Sequence, residues 1–240
     1  MGYEAKKRAI AGVLLSFLNK VARLMVRCQR RGGQSFPRPS PLVLALRCGV
    51  MNSSHLDETL IASRTVHQGH FLTLKCDTVR LPNGQSASRE YVQHPGAVVV
   101  LALTGDGQIV LEKQFRYPVG RCMIELPAGK LDAGESSLHC AQRELREETG
   151  YLAAQWAYAG VLHLAIGYST EALHIYFAQG LQQQARQLDE GEFLDVYTQP
   201  IAAFLQDCDR QAVTDAKTLS CAYYLLRYQA GLLPLDWQTV

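Results

Sequence analysis

The chain has 240 residues, enough for one sizeable core with an appendage, and its 48% hydrophobic and 19% charged content is that of a globular protein. The formal net charge of +2 averages two unlike parts: residues 1–50 hold ten Lys or Arg and one acid, whereas residues 51–240 hold 14 basic and 21 acidic residues, a net charge of −7. So acidic a body argues against nucleic acid as the main partner.

The first segment, residues 1–50, reads as a basic extension. Its longest apolar run, Ala9 to Leu18, is too short to span a bilayer, which takes about 20 residues. Ile10, Val13, Leu14, Phe17, Val21 and Leu24 fall at helical spacing. Three readings fit: a basic amphipathic helix on a membrane surface, a transit-like segment, or an upstream stretch before a start at Met51. We adopt the last, because "QRRGGQSFPRPSP" separates the segment from the regularly patterned remainder of the chain.

From Met51 the pattern changes. "HFLTLKCDT" alternates, with Leu72, Leu74 and Cys76 on one side and Thr73, Lys75 and Asp77 on the other, which predicts a half-buried strand. "LPNG" supplies a turn and "SASREYVQ" the returning strand. "GAVVVLAL" predicts a buried strand, turned by "TGDGQ" into "IVLEK". A helix is predicted from Ser136 to Thr149, capped by Ser136 or Ser137 and ended by Gly150, with Leu138, Ala141 and Leu145 as its buried stripe. "WAYAGVLH" and "ALHIYFAQG" predict two more strands. Pro200 opens one further helix, and Thr214 or Asp215 caps a last one with Leu219, Ala222, Tyr223 and Leu226 as its stripe. The layout implies an α/β fold, a mixed sheet with helices on its faces.

The central helix carries the chemistry. Glu144, Glu147 and Glu148 lie at i, i+3 and i+4, where like charges cost roughly 0.2–0.5 kcal/mol per pair. They also stand at the helix C-terminus, which already carries partial negative charge. A divalent cation resolves that repulsion, and carboxylate oxygens suit Mg²⁺ or Mn²⁺. The seven cysteines are widely spaced with no C-x-x-C, which fits reduced thiols of a cytoplasmic protein. The seven histidines are scattered and read as core or surface filler.

Gly129, five residues, Glu135, seven residues and then "RELREETG" resembles the Nudix box of the Nudix hydrolases, with Tyr151 where an aliphatic residue is usual. The resemblance implies an α/β/α sandwich and metal-dependent cleavage of a nucleoside diphosphate linked to another moiety. It implies Glu144, Glu148 and Glu147 as metal ligands, Glu147 also as a catalytic candidate, and Glu135 with Arg143 as the pair that fixes loop to helix. Gly129 and Gly150 bracket the motif.

"QFRYPVGRCMIELPAGK" and "REYVQHPGAVVVL" extend the resemblance to the ADP-ribose pyrophosphatase branch, over Glu58 to about Gly231. That branch implies a metal at the carbonyl of Ala128 and substrate contacts from Arg89, Arg116 and Glu125. It places an acid in the loop at Glu171, as general base or additional metal ligand, and we take Glu171 as the base. It implies a homodimer through a small antiparallel sheet in residues 51–94, with the catalytic domain in 95–240. ADP-ribose members often carry a proline where Ile166 stands. The expected reaction is ADP-ribose to AMP and ribose 5-phosphate. The alternatives are GDP-mannose or another nucleotide sugar, and a non-catalytic nucleotide-sensing module.

Overall fold

The computed structural model describes residues 53–188 and 191–240, so the three readings of residues 1–50 lie outside the described residues. Residues 56–240 form one compact unit. Its strands make three sheets. β1 (Thr59–Gln68), β2 (Thr73–Arg80) and β3 (Ser86–Gln93) form an antiparallel sheet in that order. β5 (Gln108–Arg116) lies between β6 (Arg121–Glu125) and β10 (Leu194–Pro200). The five-stranded sheet takes β11 (Gln238–Thr239), β8 (Tyr151–Leu162), β9 (Leu173–Gln183), β4 (Ala97–Ala102) and β7 (Ala128–Lys130), in that order across it. Only β4 and β9 run parallel in it, so the sheet is mixed, as the sequence predicts.

β4 is the keel. Val98 through Ala102 have no exposed surface, and alternation sends their side chains to opposite faces. Val98, Val100 and Ala102 pack with Cys140, Ala141 and Leu145 of the central helix, α1 (Ser137–Glu144) and its continuation. Ala97, Val99 and Leu101 pack with Phe204 of α2 (Ile201–Asp209) and with Cys221 and Leu225 of α3 (Ala216–Gln229). Helices thus cover both faces, giving the α/β/α sandwich. Burying Leu145 alone contributes about 2 kcal/mol, more than each like-charge pair on the same helix costs, so α1 forms despite its acids.

Three expectations need correction. The predicted helix to Thr149 is an α-helix only to Glu144; Leu145–Thr149 is a π-turn, the wider coil that often marks functional sites. The buried stripe of α3 is Thr218, Cys221, Ala222 and Leu225, whereas Leu219, Tyr223 and Leu226 are exposed. That helix has apolar residues on two sides, and polar bonds choose between them: Thr218 Oγ1 accepts the Leu126 N–H at 3.0 Å and Lys217 reaches Glu125. In β2 the buried side is Asp77 and Val79, not that of Leu72; Tyr91 donates to Asp77 Oδ2 at 3.0 Å, while Asp77 Oδ1 has no hydrogen-bond partner.

Gly150 ends the π-turn at φ +74, and a Cβ there would lie 2.5 Å from the Gln184 carbonyl oxygen. Both the left-handed backbone and the close approach demand glycine. Gly150→Ala should lower stability by roughly 1–3 kcal/mol, read as a shift of the denaturant midpoint at unchanged slope. An unshifted midpoint would contradict this account of the cap.

Candidate active site

A cavity of about 460 Å³ opens beside the end of α1, lined by β7, the loop 163–172 and the start of α3. Of the residues expected from sequence, Ala128, Gly129, Glu144, Glu147, Glu148, Glu171, Arg116 and Arg143 line it. Arg89 does not: its guanidinium faces Glu58, with Nε donating at 2.9 Å, and it sits on β3 with an exposed side chain. Gly150 and Glu135 stand behind the cavity as frame.

That frame is held by one cation. Arg143 donates from Nε and Nη2 to the two oxygens of Glu135, both at 3.0 Å, and from Nη2 to the Lys130 carbonyl at 3.1 Å. One side chain therefore ties the loop after β7 to α1. The Arg143 hydrogen bonds hold the Glu135 carboxyl down at about 2. The remaining Arg143 nitrogen, Nη1, donates to Glu144 at 2.9 Å and to Glu147 at 3.2 Å. Glu144 lies across Gly129 so closely that a Cβ there would fall 1.8 Å from its Cδ. The motif glycine exists to let that carboxylate pass.

The inner acids are less well served. Glu148 is only 5% exposed and accepts one N–H, from Ala128 at 3.1 Å. Facing it from β5 is Glu112, 4% exposed, whose Oε1 has no hydrogen-bond partner. Burial pushes both carboxyls up; the neighbouring charge of Glu112 raises Glu148 further, whereas a hydrogen bond with Glu148 offsets part of the rise at Glu112. Burial likewise pushes Glu144 up to about 7, against the pull of Arg143. Among the described residues no three His, Cys, Asp or Glu side chains converge on one point, since Glu144 and Glu147 turn toward Arg143. The donor chemistry nevertheless fits a hard divalent cation: only oxygens, a surplus of buried negative charge, and one orphaned carboxylate oxygen.

Beside Glu112, as its cross-strand partner on β6, Glu125 is 3% exposed and both its oxygens are engaged, by Arg116 at 2.7 and 2.8 Å and by Lys217. Burial pushes this carboxyl up, but the two cations outweigh it and hold it below its ordinary value. Lys217 also pairs with Asp215, the N-cap of α3, at 3.0 Å. Glu125 thus anchors two cations at the cavity wall. Phe71, from the β1–β2 hairpin, lines the same cavity with Lys130 Nζ 4.5 Å from its ring centroid. Glu112, Lys217 and Phe71 escape a sequence reading. Glu112 sits in an ordinary strand pattern, Lys217 looks like any helix-start cation, and Phe71 like a hairpin apolar. Only the proximity of "LEK" to a predicted core strand hinted that Glu112 would be buried.

The NUDIX domain model matches residues 92–219, and the model of the nucleoside diphosphate sugar hydrolase N-terminal domain matches residues 58–92. The chain is 40% identical over 172 residues to an ADP-ribose pyrophosphatase of Bacillus subtilis (strain 168), which covers 71% of this chain and 93% of that relative. It is 38% identical over 176 residues to a methanol dehydrogenase activator of Bacillus methanolicus, covering 72% and 95%. A crystal structure of an ADP compounds hydrolase shares the fold, with a TM-score of 0.66 at 22% identity over 73% of this chain and 96% of that one.

The buried acids make stability depend on pH. Burial raises Glu112 to about 8 and Glu144 to about 7, and raises Glu148 as well, so the folded metal-free protein binds protons that the unfolded chain releases. Stability then rises as pH falls through the folded pKa values toward the unfolded value near 4.3. Melting temperature without metal should climb between about pH 8 and pH 5, and saturating Mg²⁺, which favours ionised carboxylates, should flatten the slope. Glu135, held low, opposes this only below about pH 4.5. A melting temperature indifferent to pH in the upper window would contradict the uncompensated burial of these acids.

Proposed function

This chain belongs to the Nudix hydrolase family, and from that premise we propose that it cleaves the diphosphate of ADP-ribose, releasing AMP and ribose 5-phosphate with Mg²⁺ as cofactor. The observation that carries the reading is the surplus of buried carboxylate at the end of α1, in one cavity with Arg116 and Lys217. The likeness to the Bacillus subtilis ADP-ribose pyrophosphatase along nearly the whole of that relative supports the substrate.

Glu144, Glu148, Glu147 and the Ala128 carbonyl would hold the cation, with Glu112 beside Glu148. The chemistry supplied by the bound cation is neutralisation of phosphate charge and acidification of a water. Glu171, which lines the cavity from the loop 163–172, takes the proton of the attacking water as general base. Glu147, more exposed than Glu144 beside the same Arg143, is the second candidate for that proton. Arg116 is held in a fixed orientation by Glu125, so its charge is placed before substrate arrives. Glu125 acts in substrate binding through Arg116 and Lys217. Phe71 presents an aromatic face on the rim, suited to a flat ring.

Arg89 stands outside the cavity of its own chain, so a substrate role for it requires a second protomer. Every residue of β1 is exposed, including Leu60, Ile61 and Val66, which supports a homodimer through the sheet of β1–β3. A monomer in sedimentation equilibrium would remove that route. No helix among the described residues is long and apolar enough to cross a membrane, and the described cysteines are free, in keeping with a cytoplasmic enzyme.

A nucleotide sugar is the second reading, favoured by the match of residues 58–92 to the nucleoside diphosphate sugar hydrolase N-terminal domain. A panel of ADP-ribose, GDP-mannose and other nucleotide diphosphates, assayed with Mg²⁺ for released monophosphate, separates the two. ADP-ribose should be turned over fastest, and Glu148→Gln should lower its kcat on the order of 10²-fold. Fast turnover of GDP-mannose with none of ADP-ribose would replace the first reading by the second. Unchanged turnover in Glu148→Gln would sink the metal site.

A further inference from the structure

We propose that His94 is the positioning residue of Glu171, a role that rests on the reading of Glu171 as general base. Glu171 lies in the loop 163–172, which has no helix or strand to hold it. Its seat is the segment that leaves β3. Val92 N–H donates to the Tyr168 carbonyl at 2.8 Å, and Thr170 N–H returns to the Val92 carbonyl at 3.0 Å. His94 N–H donates to Thr170 Oγ1 at 2.9 Å, and Ala97 N–H to the Ala172 carbonyl at 3.0 Å. Residues 92–97 therefore clasp the loop on both sides of Glu171.

The His94 ring completes the clasp. Gly96 N–H donates to His94 Nδ1 at 3.1 Å, so Nδ1 is the acceptor and the proton of the neutral ring sits on Nε2. Nε2 faces Glu171 Oε1 at 4.0 Å, and the His94 side chain is only 11% exposed. Gly96 holds φ +100, and a Cβ there would lie 2.8 Å from Leu131 Cδ1, so the turn that presents its N–H needs glycine. One nitrogen is thus fixed by the backbone, and the other is aimed at the base. The separation exceeds a hydrogen bond, as catalytic contacts often do before substrate binds. With its tautomer fixed, His94 restricts the carboxylate to one side of the cavity and leaves its other oxygen for water.

Two substitutions separate this role from simple support of the turn. His94→Asn keeps an acceptor at the Nδ1 position for Gly96 and deletes the Nε2 arm. His94→Gln restores a donor at the Nε2 reach and gives up the acceptor. On the best substrate of the panel, with Mg²⁺, His94→Asn should lose roughly tenfold in kcat with KM nearly unchanged, while His94→Gln stays within about threefold of wild type. In the metal-free protein, amide hydrogen exchange of residues 168–172 should speed up in His94→Asn and not in His94→Gln. Both are measured well below their melting temperatures. An Asn variant with wild-type kcat and exchange overturns the assignment, and so does a Gln variant as impaired as the Asn one. Glu171→Gln in parallel keeps the two claims apart. If it retains activity, the base reading falls and takes His94 with it; if it is inactive while His94→Asn is not, the His94 assignment alone falls.

Discussion

Everything at this site stems from burying more negative charge than the chain neutralises. Arg143 is one cation among Glu135, Glu144 and Glu147, and it is occupied at the outer edge of the helix. Glu148 and Glu112 lie deeper, with a single backbone N–H between them and an orphaned oxygen. A buried carboxylate without partners costs several kcal/mol, so burial pushes both groups toward their protonated forms. The arrangement is unfavourable for folding and favourable for capturing a cation together with a polyanion. The neighbouring strand, β6, obeys the reverse rule. There Glu125 is matched by two cations, and those cations gain a fixed place from it.

Such a site needs a scaffold that does not relax around it. β4 supplies that, with five consecutive residues wholly buried and alternate side chains locked under α1 on one face and under α2 and α3 on the other. Gly129 and Gly150 do the fine fitting, the first by leaving room for a carboxylate and the second by turning the chain where any side chain would strike the Gln184 carbonyl. The π-turn matters for the same reason. It ends the α-helical register just after Glu144, so Glu147 faces Arg143 near the surface while Glu148 swings under the sheet toward Glu112.

How much of this was legible in sequence depended on range. The box was legible because its spacing is local, and β4 because an unbroken apolar run has few other uses. The α3 stripe was not, since that helix offers two apolar sides and the choice is made by Thr218 and Lys217 reaching residues some 92 positions away. Glu112 was hidden for a similar reason. A glutamate between a leucine and a lysine on a strand looks solvated until another element covers it. β6, β7, β10 and β11 carry little pattern of their own and exist by pairing with neighbours. The mutual geometry of the acids was legible only as a shared face. That two would be paired with Arg143 and the third with a strand carboxylate came from the π-turn and the sheet.

The sheet of β1–β3 then takes on a second meaning. By composition it is an appendage with little core of its own. Yet its last strand runs straight into the residues that clasp the loop of Glu171, through a parallel bridge between Val92 and Ser169 and the bonds around Thr170. Its first hairpin brings Phe71 to the rim of the same cavity. Loops without secondary structure of their own open easily unless something rigid holds them. Here the rigid element is the exit of β3, itself registered residue for residue on β2 from Ser86 to Gln93. A loop seated on such a strand gains precision from it, so this sheet helps to shape the cavity that Glu171 and Phe71 line.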